Sequence, residues 1–429
     1  MVMIFTRKIK AITEKSGFMR NLSRLLRGTI ISQALLVATL PILTRIYSPK
    51  AFAEYAVFIA IIGILTPITN GRFEIAIPVA RNRVEAIELL KLSLLSNIAL
   101  ATTLFIALYF FGDAILTRFG IHSAKLYAYA IPFCTLLMGI YNALQFWLTR
   151  EKDFHTISST RIRQTTISIA TQIGLGLSPL QAHGLVFGST LSFTGGLSRM
   201  LRGAPKISLL IRIRVARLTA AYKRYAHYLI YSTPEALVNA AAAQTPVLIV
   251  AYYATGPETA FLMIAMKFIK IPMTLVGKSV SQVYISHALE YKSSGTLRRK
   301  TIAIMRNLGL IFSLPLIIAA IFFKILIPYI LGTEYSRVGD LIAWMTPWAI
   351  LMIMTSPVAM GLNVLNLQRL GLAVQTYGLL IRTGLTILFG IFMPAYICEA
   401  YAVAGALFYG VFMLIILHKI RDKSQSKPE

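Results

Sequence analysis

The chain has 429 residues, of which 56% are hydrophobic and only 14% charged, and its formal net charge is +27. A soluble domain carries about a quarter of its residues as charges, so this composition excludes an ordinary soluble protein. No nucleic-acid partner is expected either: neutralising phosphates takes clustered Lys and Arg, whereas most of these residues sit in short polar breaks between apolar runs.

From the N-terminus, Met1 to Arg27 is basic. It lacks the ordered n-region, apolar core and small-residue cleavage site of a secretory signal, so it is expected to be retained as an amphipathic cytoplasmic helix. Apolar runs of bilayer-spanning length follow near 28–46, 52–77, 91–111, 126–148, 164–180 and 183–199, the last two short and interrupted by glycines. The basic segment from Met200 to Ala226 comes next, and its part from Ile207 to Arg224 can form an amphipathic helix on an anionic leaflet. Further apolar runs lie near 229–252, 259–284, 304–328, 340–362, 371–392 and 400–418. The expected fold is an all-α polytopic membrane protein of about twelve transmembrane helices in two pseudo-symmetric six-helix lobes. Its parts are a cytoplasmic segment 1–27, a lobe 28–199, a basic cytoplasmic linker 200–228, a second lobe 229–418 and a cytoplasmic tail 419–429.

Charge placement agrees with that layout. With the N-terminus cytoplasmic, 32 of the 43 Lys and Arg fall on the cytoplasmic side. Only Arg45, Lys50, Arg118, Lys125 and Arg337 fall on the other, as the positive-inside rule requires for an even number of spans. An internal repeat supports two lobes: Pro41 and Tyr47 recur as Pro246 and Tyr252, and after a one-residue gap Arg72 aligns with Lys278. Aromatics toward span ends, among them Tyr47, Tyr127, Tyr129, Trp147, Tyr252, Trp344 and Trp348, are expected to anchor at the membrane interfaces.

The six remaining basic residues lie inside spans: Arg72, Lys267, Lys270, Lys278, Lys324 and Arg382. A charge at a helix centre costs about 2.5 to 3.5 kcal/mol on insertion scales, which makes each a functional candidate. Lys267, Lys270, Thr274 and Lys278 fall within about 80° of one another on a helix, with Gln282 extending the stripe. Like charges so placed repel, so the stripe is expected to line a wet cavity where an anion offsets the repulsion. Lys324 lies close enough to a span end to snorkel. Glu74 is the one clear carboxylate deep in a span and the candidate for proton coupling; it and Arg72 point about 200° apart if the second span is helical throughout. Cys134 and Cys398 sit in or beside apolar runs, and the histidines lack metal-ligand spacing, so no disulfide, metal or cofactor is expected.

Three blocks resemble a known family. The first is Gly28-Thr29, Pro41 to Pro49 and Arg72 to Pro78; the second is Tyr231 to Pro234, Asn239, Pro246, Gly277 and Ser281 to Tyr284; the third is Gly332, Glu334-Tyr335, Gly339, Pro347-Trp348, Ser356-Pro357 and Gln368-Arg369. Together they are similar to the Wzx-type O-antigen and polysaccharide flippases of the polysaccharide biosynthesis protein family, in the multidrug/oligosaccharidyl-lipid/polysaccharide exporter superfamily. The resemblance implies a two-lobed bundle with a cationic central cavity in a bacterial inner membrane, flipping undecaprenyl-pyrophosphate-linked oligosaccharides for surface polysaccharide or lipopolysaccharide assembly. Membrane lipids, a polysaccharide polymerase and a chain-length regulator are the partners expected with it. The segment from Phe261 to Lys270 departs from the family pattern in its Met and Lys content. A multidrug exporter of the same superfamily is the alternative, but holding a cationic substrate needs buried carboxylates. A membrane enzyme would need catalytic acids in a sizeable aqueous loop, and the outer loops carry only scattered acids such as Asp113, Glu334 and Asp340. The chain is therefore read as a transporter, not an enzyme.

Overall fold

Helix occupies most of each expected span in the computed structural model, which describes residues 17–254, 256–359 and 368–419. Within these ranges, the side chains of 17–27, 182, 271, 272, 274–276, 278, 279, 282, 283, 285–289, 292, 368, 369, 371 and 372 lie outside the description. The side chains of Thr274, Lys278, Gln282, Gln368 and Arg369, most of the N-terminal basic segment and nearly all of the C-terminal tail are therefore outside it.

The first helices are α1 (Gly17–Ile46), α2 (Pro49–Leu65), α3 (Arg83–Leu116), α4 (Ala124–Arg150) and α5 (Phe154–Gly176). Three of them begin at capping residues: Ser48 Oγ accepts from Ala51 N at 3.3 Å with Pro49 at the first position, Asn82 Oδ1 from Glu85 N at 2.8 Å, and Asp153 Oδ1 from Thr156 N at 3.0 Å. Shorter helices follow, α6 (Gly184–Ser192), α7 (Thr194–Gly203), α8 (Ile207–Ile211) and α9 (Val215–His227), and a π-helical turn over Tyr228–Ser232 leads into α10 (Thr233–Tyr253). The remaining helices are α11 (Glu258–Ser293), α12 (Leu297–Leu331), α13 (Ser336–Thr355), α14 (Gln368–Phe392) and α15 (Ile397–Lys419). Among the described residues, nine helical stretches are long and apolar enough to cross a membrane. Helices α5, α6 with α7, and α11 occupy the other expected positions, and the chain is a multi-pass membrane protein.

The chain divides into two compact units, Met1–Gln244 and Thr245–Glu429. Lipid tails are as apolar as leucine, so helix packing here rests on dispersion and hydrogen bonds more than on water exclusion. Trp147 is fully buried among Phe73, Ile77, Leu89 and Leu90 in the first unit. In the second, Phe408 and Phe412 pack with Tyr284, Met305 and Val374.

Three expectations change. The second span is not one helix to residue 77: α2 stops at Leu65, a 3-10 turn covers Thr66–Ile68, and a 3-10 segment runs Phe73–Val79. Pro67 and Pro78 cannot donate to a helical ladder, and Gly71 at φ 59° turns the chain. The linker helix is split into α8 and α9, and residues Leu210, Ile213, Leu218, Ala221 and Tyr225 turn its apolar face onto the core around Leu89 and Phe73. Finally, Tyr47, Tyr127, Trp147 and Trp348 are buried within the protein and do not face its surroundings, while Tyr129, Tyr252 and Trp344 stay about half exposed. The Tyr47 hydroxyl donates to the Gln172 carbonyl at 2.6 Å, a partner that the phenol needs once buried.

Candidate functional site

In the first unit the candidate residues sit at the break after α2. Arg72 has φ 63° and ψ 7°, a left-handed conformation that costs a non-glycine residue about 1 kcal/mol or more. The fully buried Asn70 holds the segment in place, donating through Nδ2 to the Gly139 carbonyl at 3.0 Å. Arg150 fixes its far end by donating from Nη1 to the carbonyls of Ile77 and Ala80 at 3.0 and 2.8 Å. Arg72 and Glu74 interact electrostatically, so the break brings together two groups that a continuous helix would have set apart. Asn70 Oδ1, Arg72 Nε and Glu74 Oε2 are buried with no hydrogen-bond partner. Buried polar atoms are normally satisfied, and such a group of exceptions fits a site that takes water, a proton or a ligand.

In the second unit, α11 continues as helix through Pro272, so Lys267, Lys270 and Lys278 share one element. Leu262, Met266, Ile269 and Met273 bury the opposite face. Lys267 and Lys270 are exposed, and Lys270 interacts electrostatically with Arg382 of α14. The half-buried Arg382 is held in position: its Nε donates to the Gly378 carbonyl at 2.8 Å and its guanidinium lies 5.0 Å from the centre of the Phe408 ring. Among the described residues no carboxylate forms an ion pair with Lys270 or Arg382. A dianionic group could be held by bidentate hydrogen bonds from the guanidinium and by the ammonium as a point charge. The repeat that aligns Arg72 with Lys278 does not extend to backbone conformation, since position 278 is helical and Arg72 is left-handed. Lys324 pairs with Asp340 at 3.1 Å on an exposed surface, consistent with its reading as a snorkelling residue.

Sequence reasoning missed a carboxylate pair. Arg337, at the start of α13, donates from Nε to Glu258 at 3.3 Å and from Nη2 to Glu399, joining the first turns of α11 and α15. Both carboxylates stand where the helix dipole favours a negative charge. The partners are separated by 79 and 62 positions, and no local pattern could connect them.

Two helical units, with the second span interrupted at Arg72, define the fold. Solved structures similar to this chain carry it. A lipid II flippase, MurJ, in an inward closed conformation matches with a TM-score of 0.68 at 15% identity, over 91% of this chain and 87% of that one. An inward-facing multidrug resistance transporter of the MATE family of the MOP superfamily matches with a TM-score of 0.64 at 13% identity, over 89% of this chain and 93% of that one. A MOP superfamily transporter from Pyrococcus furiosus, described as having a binding pocket of reversed polarity, matches at 0.57 and 13% identity, over 93% of this chain and 96% of that one. No curated protein matches the chain in sequence. A family model described as polysaccharide biosynthesis protein matches residues 42–339, and the chain belongs to that family.

Proposed function

We propose that this protein is a flippase that moves an undecaprenyl-pyrophosphate-linked oligosaccharide across a bacterial inner membrane by alternating access, for assembly of O-antigen or a related surface polysaccharide. One observation carries the reading: Lys270 and Arg382 are cations within electrostatic reach of each other, on two membrane helices of the second unit, with no described acidic partner. A lipid-facing position would be costly for such a pair. A pyrophosphate crossing a region poor in water needs that compensation, because an unpaired buried charge is far more costly than a paired one. Lys267 and Lys278 extend the cationic face along α11, and Arg72 is a further proposed substrate-binding cation. Glu74 is the carboxylate proposed to carry a coupling proton. The polyprenyl tail stays in lipid while the sugars pass through the protein. A polysaccharide polymerase and a chain-length regulator are the proposed partners.

The test replaces Lys267, Lys270 and Lys278 together by Gln. Surface polysaccharide should fall by at least about tenfold, the loss of one charge-assisted contact, while protein level in the membrane stays the same. Arg at the same positions should keep partial function. Normal export by the triple Gln variant would show that the lysines face elsewhere.

A further inference from the structure

A second basic site lies away from the cationic face of α11. A recess of about 390 Å³ opens beside the turn between α4 and α5, and Asp153, Thr156, Arg163, Ser198, Arg199 and Arg202 line it. The sequence of α7 explains why three of these residues point the same way. Phe193, Leu197 and Met200 recur at helical spacing and pack on Tyr141, Leu144, Leu148 and Ile157. Ser198, Arg199 and Arg202 are left on the opposite face. The Trp147 indole fixes the end of α7 by donating to the Gly203 carbonyl at 2.9 Å.

Three arginines and a single carboxylate line the recess. That carboxylate is already engaged, because Asp153 caps α5 by accepting the Thr156 N–H at 3.0 Å, and its charge is felt by Arg199. Among the described residues, Arg163, Arg199 and Arg202 form no ion pair. Three like charges held around one polar recess repel unless an anion neutralises them. Charged groups spread along a membrane surface merely to set topology have no need to share a recess.

We propose that this recess binds a phosphate group, supplied by the headgroup of an anionic membrane lipid or by free phosphate. Guanidinium forks match phosphate oxygens two at a time, and Ser198 brings a hydroxyl to the lining as a further donor. Basic pockets beside membrane helices take lipid headgroups in the same way. The site is independent of the flippase reading and stands or falls by itself.

The experiment uses the full chain in phosphatidylcholine nanodiscs, titrated separately with short-chain phosphatidylglycerol and with inorganic phosphate, and reads bound ligand by native mass spectrometry. The wild type should bind at least one of the two. Binding of phosphatidylglycerol alone identifies the lipid headgroup as the source, and binding of both shows that phosphate itself suffices. The variant R163K/R199K/R202K keeps every positive charge, and with it the topology signal, but loses the forks; its affinity should fall by about tenfold or more. D153N removes the one negative charge while keeping a capping side chain, and its affinity should rise severalfold. The proposal is overturned if the wild type binds neither ligand, if the lysine variant binds as tightly as the wild type, or if D153N leaves affinity unchanged.

Discussion

Arg382 shows what fixes a charged side chain inside a membrane helix bundle. The absence of a side chain at Gly378 lets the Phe408 ring come close: a Cβ at that position would meet the ring's Cζ at 2.9 Å. The ring then offers its face to the guanidinium at 5.0 Å, a cation–π contact worth about 0.5 to 2 kcal/mol according to its desolvation. Gly378→Ala should force the ring away and lower stability by about 1 to 3 kcal/mol, the usual cost of overpacking. Phe408→Leu should cost less, because it keeps apolar volume while removing the π face. Thermal unfolding in detergent measures both, and a Gly378→Ala variant as stable as the wild type would mean that the ring is not packed against this position. None of this contact was legible in the sequence, where Arg382 stood out only as a charge in an apolar run.

At the level of elements, α11 could be read from the sequence because helical spacing alone places Lys267, Lys270 and Lys278 on one face. The second span could not be read, because its apolar run continues past the end of α2 and hides the left-handed turn at Gly71 and Arg72. Arg150, which no pattern in the sequence singles out, supplies donors to the carbonyls that end the 3-10 segment. The α5 cap was likewise hidden and carries a pH dependence. Partial burial pushes the Asp153 carboxyl up, but hydrogen bonds from Thr156 and the charges of His155 and Arg199 outweigh it and hold the group below the ordinary aspartate range. A carboxylate with a depressed folded-state pKa contributes stability that is present above its unfolded value and is lost as pH falls through its folded one. In phosphate-free buffer, Asp153→Ala should therefore lose about 1 kcal/mol at neutral pH and be less sensitive to acid than the wild type. Asp153→Asn should keep the cap while showing the same reduced sensitivity. Thermal midpoints measured from neutral pH to below the aspartate range test this, and an unchanged acid profile in both variants would remove Asp153 from the account.

The arrangement of the whole molecule bears on which way the chain crosses the membrane. Segments that the charge count assigns to one side do meet in the structure of the first unit: Arg224 pairs with Glu85 at 2.7 Å, Lys91 donates to the Ile213 carbonyl at 3.3 Å, and Arg150 reaches the carbonyls from Ile77 to Ala80. The opposite end gathers the other set, with Gln181 donating to the Ile46 carbonyl and His122 N to Glu54 at 3.5 Å. In the second unit, Arg337 joins the starts of α11, α13 and α15, all of which the same count places together. Within each unit, then, these partners fall on the side that the Lys and Arg positions assign to them. The positive-inside rule makes the lysine- and arginine-rich side the proposed cytoplasmic one. A phosphatase reporter fused after Glu429, which works only in the periplasm, should be silent, and a cytoplasmic fluorescent reporter at the same place should be bright. The same pair inserted in the loop between α3 and α4, beside Arg118, should give the reverse. If the C-terminal phosphatase fusion were active, the bundle would be inverted, the recess formed by Arg163, Arg199 and Arg202 would face the periplasm, and the proposed direction of flipping would have to be reconsidered.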